Sequence, residues 1–178
     1  RREDRARAHV EPDRPPVAGE RGRRVKEQPV VPPRLKGDLA FHELAELRRS
    51  SGQAFDLEVE PLPLIHSSRP HVERVLENLL DNAIKYTDAR PRIRVTASRT
   101  DDKVVIRFRD HGIGIAPESR DRVFQIFQRL HTQSEFEGTG IGLAMCRRIV
   151  EHLGGDIAIV DTDGRGTTFA ITLPAATG

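Results

Sequence analysis

The chain has 178 residues, of which 37% are hydrophobic and 31% charged, and its mean hydropathy is −0.51. This composition is typical of a soluble chain with one ordinary domain and some additional length. No apolar run approaches the roughly 18 residues that cross a bilayer, and none follows the basic N-terminus, so we expect neither a membrane-spanning segment nor a secretory signal. The single cysteine, Cys146, excludes an internal disulfide and a Cys-rich zinc site, which makes a cytoplasmic location the expectation.

The basic charge is concentrated in residues 1–36. This segment holds eleven Lys and Arg against six Asp and Glu, a net charge of +5, whereas the other 142 residues hold 18 and 21, a net charge of −3. It also contains six of the twelve prolines and no aromatic residue, so it cannot bury enough apolar surface to offset the entropy of ordering. We predict a disordered tail or linker over 1–36 and a folded domain over 37–178.

An arm that binds nucleic acid or an anionic membrane is the functional alternative for the basic segment. Acidic residues interrupt its arginines, and it has no aromatic side chain for stacking on bases. We therefore expect no nucleic-acid partner and no membrane contact from this segment.

The pattern of apolar residues predicts helices and strands after Gly37. Apolar residues recur at three- and four-residue steps in two long segments, which indicates amphipathic helices, and they alternate with polar residues elsewhere, which indicates strands. The order of elements favours an α/β sandwich with helices on one face of a sheet. In chain order we predict a short strand or turn and then a helix within 39–49, a strand at 54–59, a helix at 70–86, strands at 93–97 and 104–108, a short helix near 117–127, a helix at 141–153 and two final strands around 163–164.

One edge of the predicted helix 70–86 carries a row of polar residues. Asn78 and Asn82 are four residues apart and Lys85 follows three residues later, so the three side chains line up beside the apolar stripe. Asparagine is a mediocre helix former, and two of them aligned on a half-buried edge cost stability unless they bind something. The alternative, two solvated asparagines on a helix flank, stays open on this observation alone.

Three glycine-rich segments follow. DHGIGI (110–115) places the carboxylate of Asp110 beside alternating glycines, an arrangement in which a flat ligand can approach the backbone and donate a hydrogen bond from an exocyclic amine such as that of adenine. GTGIGL (138–143) precedes the second long helix, where free N–H groups can cradle phosphate, although it lacks the lysine and Ser/Thr of a Walker P-loop. GRGTTF (164–169) forms a turn between strands. Each segment alone is ambiguous, because a plain turn or hairpin explains it as well.

Together and in this order, five segments resemble the ATP-binding catalytic domain of sensor histidine kinases. The resemblance covers about 37–174 and is closest to kinases of the bacteriophytochrome kind. It implies a two-layer α/β sandwich with a mixed, mostly antiparallel sheet, the fold of a superfamily that includes gyrase, the Hsp90 chaperones and the MutL repair proteins. The segments that match its asparagine box, first glycine box, phenylalanine box, second glycine box and third glycine turn are ENLLDNAIKYT (77–87), DHGIGI (110–115), FQIF (124–127), GTGIGLA (138–144) and GRGTTF (164–169).

The resemblance implies roles for the asparagine box. Asn82 would hold Mg²⁺, which bridges the phosphates of ATP and prefers hard oxygen ligands. Asn78 stands where hydrolytic members of the superfamily carry a water-activating glutamate, and an amide cannot act as that base. This favours phosphoryl transfer to a protein over steady ATP hydrolysis. Lys85 would neutralise phosphate charge, and Tyr86 would lie against the nucleotide.

The resemblance also implies how the glycine boxes contact the nucleotide. Asp110 would accept a hydrogen bond from the adenine amine, Gly112 and Gly114 would let the ring approach, and Thr167 would complete the adenine contacts through water. The second glycine box would hinge a lid and bind phosphates, and its implied cofactor-binding residues are Gly138, Thr139, Gly140, Gly142 and Leu143.

The polar segment 129–137 resembles the lid that closes over ATP in this family. Phe124 and Phe127 would anchor its base, and Arg129 would contact phosphate. Two core aromatic residues and a solvated arginine are the alternatives. Relatives often carry a further basic residue just beyond this arginine, where this chain has His131 and Thr132.

The chain offers no histidine in the setting that the family uses as phosphoacceptor. His42 is followed by Glu43 and Leu44, but residues 45–47 depart from the family's histidine box, and we expect a histidine on a helix surface. The seven histidines show no metal-ligand spacing. The resemblance therefore implies a partner, a dimerisation domain that carries the histidine, and beyond it a response regulator.

We therefore predict an enzyme module, the catalytic domain of a protein-histidine kinase that binds ATP and Mg²⁺ and donates the γ-phosphoryl group to a histidine outside this chain. Two alternatives stay open on the sequence. One is a degenerate nucleotide-binding or scaffold module, and the other is a protein-serine kinase of the anti-sigma type on the same fold.

Overall fold

The structure is a computed structural model that describes residues 34–50, 52–128, 139–160 and 165–176, without the side chains of 34–39 and 66. Two short turns of 3-10 helix lie at Pro117–Ser119 and Arg122–Phe124. Within the described ranges the regular elements are, in chain order, β1 (Arg34–Lys36), α1 (Gly37–Ser50), β2 (Asp56–Val59), β3 (Leu64–His66), α2 (Arg69–Lys85), β4 (Arg92–Arg99), β5 (Lys103–Asp110), α3 (Gly142–His152), β6 (Asp156–Val160) and β7 (Thr168–Pro174).

Five strands form one mixed sheet in the order β2-β4-β5-β7-β6. β2 runs parallel to β4, and the other neighbours are antiparallel. The register places Phe108 of β5 opposite Val95 of β4 on one side and opposite Phe169 of β7 on the other. A second, two-stranded antiparallel sheet joins β1 to β3. The predicted mixed and mostly antiparallel sheet is confirmed.

The three helices cover one face of the five-stranded sheet. Side chains on successive residues of a strand point to opposite faces, so alternate residues of β4, β5 and β7 enter the core. The same core receives the apolar stripes of α1, α2 and α3, while Arg94 and Arg107 lie exposed on the opposite face. The sheet and helix residues that meet include Val95, Ile106, Phe108, Ile171, Phe41, Leu44, Leu76, Leu79, Cys146 and Val150. This is the predicted two-layer sandwich.

Helix α2 is the element that positions the polar row found in the sequence. Its apolar residues, among them Val75, Leu79 and Ala83, are buried against the core. The row of Asn78 and Asn82 lies beside this stripe and is half-buried, as the helical spacing predicted. Cys146 of α3 is fully buried, and its Sγ lies 3.8 Å from the carbonyl oxygen of Val75. The two helices therefore meet through small and apolar side chains directly behind the polar row.

Three parts of the predicted organisation differ from the structure. The segment 117–127 forms two 3-10 turns and not a short helix, and the strands β1 and β3 were not predicted. β1 lies before the predicted domain start at Gly37 and pairs with β3, and the boundary itself stays a prediction. The rest of the predicted tail lies outside the described residues. No helix in the described ranges is long and apolar enough to cross a membrane.

Candidate functional site

A cavity of about 280 Å³ opens between α2, the loop after β5, the start of α3 and the start of β7. Four segments that the sequence singled out therefore meet around one space. Eleven of the predicted site residues line it: Asn78, Asn82, Lys85, Tyr86, Asp110, Gly114, Thr139, Gly140, Gly142, Leu143 and Thr167. Of the other predicted site residues, Arg129 and Gly138 lie outside the described residues.

The polar edge of α2 forms one wall of this cavity. The Nδ2 of Asn78 donates a hydrogen bond of 2.8 Å to the carbonyl oxygen of Arg74, one helical turn earlier. Its Oδ1 faces Gly142, where a Cβ would approach this oxygen to 2.8 Å. The side chain of Asn82 has no hydrogen-bond partner among the described residues. Asn78 is therefore fixed against the start of α3, whereas the Asn82 amide is available to a ligand.

Lys85 and Tyr86 end the same wall. The Nζ of Lys85 lies 4.5 Å from the centre of the Tyr86 ring and donates a hydrogen bond of 3.0 Å to its hydroxyl oxygen. The main-chain carbonyl of Tyr86 accepts a hydrogen bond of 3.0 Å from the N–H of Ile113. The end of α2 is thus attached to the first glycine box through the backbone.

Asp110 at the end of β5 is the buried carboxylate of the cavity, with 7% of its surface exposed. Its Oδ1 accepts two hydrogen bonds, from the N–H of Gly112 at 2.9 Å and from the N–H of Thr167 at 3.1 Å. Burial raises the pKa of this carboxyl above its ordinary value, and the two N–H groups oppose that rise. The remaining oxygen, Oδ2, has no hydrogen bond to the described residues, so it can accept one from a ligand.

The glycines around Asp110 are required by contacts between backbones. A Cβ on Gly166 would lie 2.0 Å from the carbonyl oxygen of Asp110, and the φ of this glycine is +110°. A Cβ on Gly112 would lie 2.3 Å from the carbonyl oxygen of Tyr86. Gly112 is not among the residues that line the cavity, and its role in the approach of the adenine ring stays a prediction. Its missing side chain makes room for the end of α2.

The cavity also has lining residues that the sequence did not indicate. Gln128 and Asp81 are polar, and the latter lies on the same helix edge as Asn78 and Lys85. The others are apolar and make up the apolar wall of the cavity: Ile113, Ile115, Val123 and Phe169. The alternation of buried residues along β7 could have predicted that Phe169 faces inward. No such pattern predicts Ile113 and Ile115, which line the cavity because the first glycine box turns its apolar residues inward.

The phenylalanine box is placed in two different environments. Phe124 is buried, and its ring centre lies 6.4 Å from the ring centre of Phe169. The guanidinium of Arg147 lies 4.1 Å from the ring centre of Phe124. Phe127 is 74% exposed and has a φ of +63°, and its N–H donates a hydrogen bond of 3.1 Å to the carbonyl oxygen of Gly140. The box is thus tied to the second glycine box. The segment 129–137 between them, predicted to be the lid, lies outside the described residues.

Residues 67–177 match the sequence pattern of the histidine kinase-, DNA gyrase B- and HSP90-like ATPases. Over 116 residues, 65% of this chain, the sequence is 42% identical to cyanobacterial phytochrome A from Nostoc sp., of which it covers 15%. The fold is similar to that of the mycobacterial sensor histidine kinase MprB, with 27% identity and a TM-score of 0.67 over 81% of this chain and 97% of that one. It is also similar to full-length ShkA in complex with AMPPNP, with 29% identity and a TM-score of 0.68 over 82% of this chain and 31% of that one.

The fold and the matched segment thus define an ATPase domain with a glycine-rich nucleotide site. The chain belongs to the family of histidine kinase-, DNA gyrase B- and HSP90-like ATPases, and within it to the ATP-binding kinase domains of sensor histidine kinases. The resemblance predicted from the five sequence segments is confirmed, including the likeness to a phytochrome. The chain spans only 15% of the length of that relative.

Replacing Asp110 with Asn tests the buried carboxylate. The amide keeps an oxygen for the N–H groups of Gly112 and Thr167 but turns an NH₂ group toward the ligand, where a base amine needs an acceptor. We expect the affinity for ATP, measured by calorimetry at neutral pH, to fall by about ten- to a hundredfold. Equal affinity in the two proteins would show that this carboxylate does not recognise the base.

The raised pKa of the same carboxyl predicts that a fall in pH weakens the binding of adenosine but stabilises the fold. Because burial raises its pKa, adenosine affinity should decline as the pH falls through that raised value, and the decline should disappear in Asp110→Asn. A carboxyl with a raised folded pKa stabilises the fold below its unfolded pKa, and this contribution is lost as the pH rises through the folded pKa. At neutral pH the variant therefore loses no stabilising charge, and its melting temperature should change little.

Gly166→Ala tests the contact between the two glycine turns. The new Cβ would meet the Asp110 carbonyl oxygen at 2.0 Å, so we expect the free energy of unfolding in urea to fall by about 2–4 kcal/mol. Gly52→Ala is the matched control, since this glycine also has a positive φ, +85°, but has nothing within 4 Å. We expect the control to cost about 1 kcal/mol, from backbone strain alone. Equal losses in the two variants would contradict the close contact.

Proposed function

We propose that the cavity binds Mg-ATP and that the domain transfers the γ-phosphoryl group to a histidine on a dimerisation domain, the first step of two-component signalling. One observation carries the proposal. A single cavity joins the buried, doubly hydrogen-bonded carboxylate of Asp110 to the free amide of Asn82 and the ammonium of Lys85. ATP needs these three groups: an acceptor for the base amine, an oxygen for a hard cation and a positive charge for phosphate.

The base would be recognised at Asp110. Its Oδ2 would accept the hydrogen bond of the adenine amine, while Oδ1 stays occupied by the N–H groups of Gly112 and Thr167. The flat ring would lie against the apolar wall that includes Ile113 and Phe169. Because the carboxylate is fixed before the ligand arrives, little side-chain entropy is lost when the base binds.

The phosphates would lie along the polar edge of α2 and at the start of α3. Asn82 would supply an amide oxygen to Mg²⁺, a hard cation that keeps several waters and takes its other ligands from phosphates. The described residues contain no group of three or more His, Cys, Asp or Glu that could hold a metal, which fits a cation carried in with its nucleotide. When bound, Mg²⁺ would neutralise phosphate charge. Lys85 and backbone N–H groups near Gly140 would complete the contacts.

The reaction would be an in-line transfer to an imidazole nitrogen. The bond between the γ-phosphorus and the β–γ bridging oxygen breaks, leaving ADP, and a nitrogen–phosphorus bond forms on the acceptor histidine. The proton of that imidazole would pass to an acidic residue beside it on the partner domain. Asn78 is an amide whose Nδ2 donates to the Arg74 carbonyl oxygen, and it cannot deprotonate a water, so it would position the phosphates and not promote hydrolysis.

Two partners follow from this activity. The phosphoryl group needs an acceptor histidine, which the described part of the chain does not present in the family's setting, since His42 is an exposed residue of α1 without a matching histidine box. We therefore propose a histidine-bearing dimerisation domain and a response regulator, both in the cytoplasm with the ATP pool. The similarity to sensor kinases supports this, and nothing in the comparisons supports the scaffold or protein-serine kinase alternatives.

The test is to mix the chain with a dimerisation segment that carries a complete histidine box, and to add ATP labelled on its γ-phosphate. Asn82→Ala should lower Mg²⁺-dependent transfer by about a hundredfold or more, because the cation loses its protein ligand. Gln53→Ala is the control, an exposed amide outside the cavity whose loss should leave the rate unchanged. The label should be lost in acid, as expected of phosphohistidine and not of phosphoserine.

Two results would contradict the proposal. One is acid-stable label, which would indicate a serine kinase. The other is equal transfer by Asn82→Ala and the unchanged chain, which would show that Asn82 does not hold the cation.

A further inference from the structure

Helix α1 reaches the wall of the nucleotide cavity through one ion pair. Arg48, in its last turn, donates two hydrogen bonds to Asp81 of α2, from Nε to Oδ1 at 3.0 Å and from an Nη to Oδ2 at 3.1 Å. The arginine side chain is 23% exposed. Asp81, whose side chain is 53% exposed, lines the cavity, so α1 pairs with a residue of the wall although Arg48 does not line the cavity itself.

Asp81 lies on α2 where it could also pair with Lys85, so its pairing with Arg48 affects the ammonium in the cavity wall. Asp81 precedes Lys85 by four residues, the spacing at which an acidic and a basic side chain on a helix pair with each other. In this structure both oxygens of Asp81 accept hydrogen bonds from Arg48, and Lys85 donates to the Tyr86 hydroxyl. The ammonium is therefore held by a weak, neutral acceptor that phosphate oxygens can displace.

A bare carboxylate at this place would oppose phosphate binding in two ways. It would repel the triphosphate directly, and it would compete for the ammonium of Lys85. A guanidinium that binds both carboxylate oxygens removes both effects, since it neutralises the charge and occupies the acceptor atoms.

We propose that Arg48 is a positioning residue of the phosphate site: by holding Asp81, it keeps Lys85 free for the nucleotide phosphates. The proposal rests on the proposed function, in which Lys85 contacts phosphate. It assigns α1 a role in selecting ligands by their phosphate charge and none in recognising the base.

The test compares ATP with adenosine in calorimetric titrations of the full chain in excess Mg²⁺. Arg48→Gln should weaken ATP binding by about three- to tenfold and leave adenosine binding unchanged, because only the phosphates meet the altered charge. Asp81→Asn should bind ATP at least as tightly as the unchanged chain. The double variant should return to within about twofold of the unchanged chain, since the competing carboxylate is gone.

Salt and a neighbouring arginine provide the controls. The loss in Arg48→Gln should shrink between about 0.1 M and about 1 M salt, as expected for a partly exposed charge. Arg49→Gln removes the same charge one residue later, where the partner is Glu46 of α1 itself, and should leave the ATP affinity unchanged. Thermal unfolding of each variant checks the fold.

Three results would overturn the inference. They are an equal loss of ATP and adenosine affinity in Arg48→Gln, a double variant as weak as Arg48→Gln, and a loss of ATP affinity in Asp81→Asn alone. A failure of the proposed function has a different signature. The unchanged chain would then bind ATP no more tightly than adenosine, and Lys85→Met would not alter ATP affinity.

Discussion

The site depends on a carboxylate that is buried before any ligand binds. Asp110 ends β5, and its Oδ1 accepts hydrogen bonds from the N–H groups of two separate turns, at Gly112 and at Thr167. Burying a charge without partners would be prohibitive, and these two hydrogen bonds offset much of the cost. Both turns must therefore approach Asp110 closely, and a side chain at Gly166 would collide with its carbonyl oxygen. The sheet register makes this possible, because Arg109 of β5 lies opposite Thr168 of β7.

The opposite requirement holds along the edge of α2, where polar groups must stay free. Among the described residues Asn82 has no hydrogen-bond partner, and Lys85 contacts the ring of Tyr86 and donates a hydrogen bond to its hydroxyl. Packing against α3 fixes this edge without using its functional groups, since Gly142 leaves room for the Asn78 oxygen. Under the proposed function, the cavity would therefore combine a rigid acceptor for the base with polar groups for phosphate and its cation.

Local patterns were sufficient to predict the elements that carry the site. Helix α2 repeats its apolar residues along one stripe, and β4 and β5 alternate through a tight turn, so periodicity located them within a few residues. The strand β3 escaped prediction because Leu64–His66 is too short, and too near Pro61 and Pro63, to show a period. The segment 117–127 has helix-forming residues, but its backbone closes into two 3-10 turns against the core.

The site residues differ in the same way: local motifs could be predicted, whereas contacts between residues far apart in the sequence could not. The glycine boxes marked where the cavity lies, but no sequence pattern indicates that Gly112 must also leave room for the carbonyl oxygen of Tyr86. The pair of Arg48 and Asp81 joins residues 33 positions apart, and no spacing rule connects them. Sequence patterns thus indicate which residue types gather at a site, whereas a distant ion-pair partner such as Arg48 emerges only from the packing of helices.

Discrimination between ATP and GTP tests the central claim most directly. The two nucleotides share the triphosphate, so a difference in affinity isolates the contact with Asp110. Adenine presents an amine donor where guanine presents a carbonyl oxygen, which the fixed carboxylate would repel. We predict that calorimetry in excess Mg²⁺ finds ATP bound at least about a hundredfold more tightly than GTP. Equal affinities would contradict the account, because the buried carboxylate would then play no part in choosing the base.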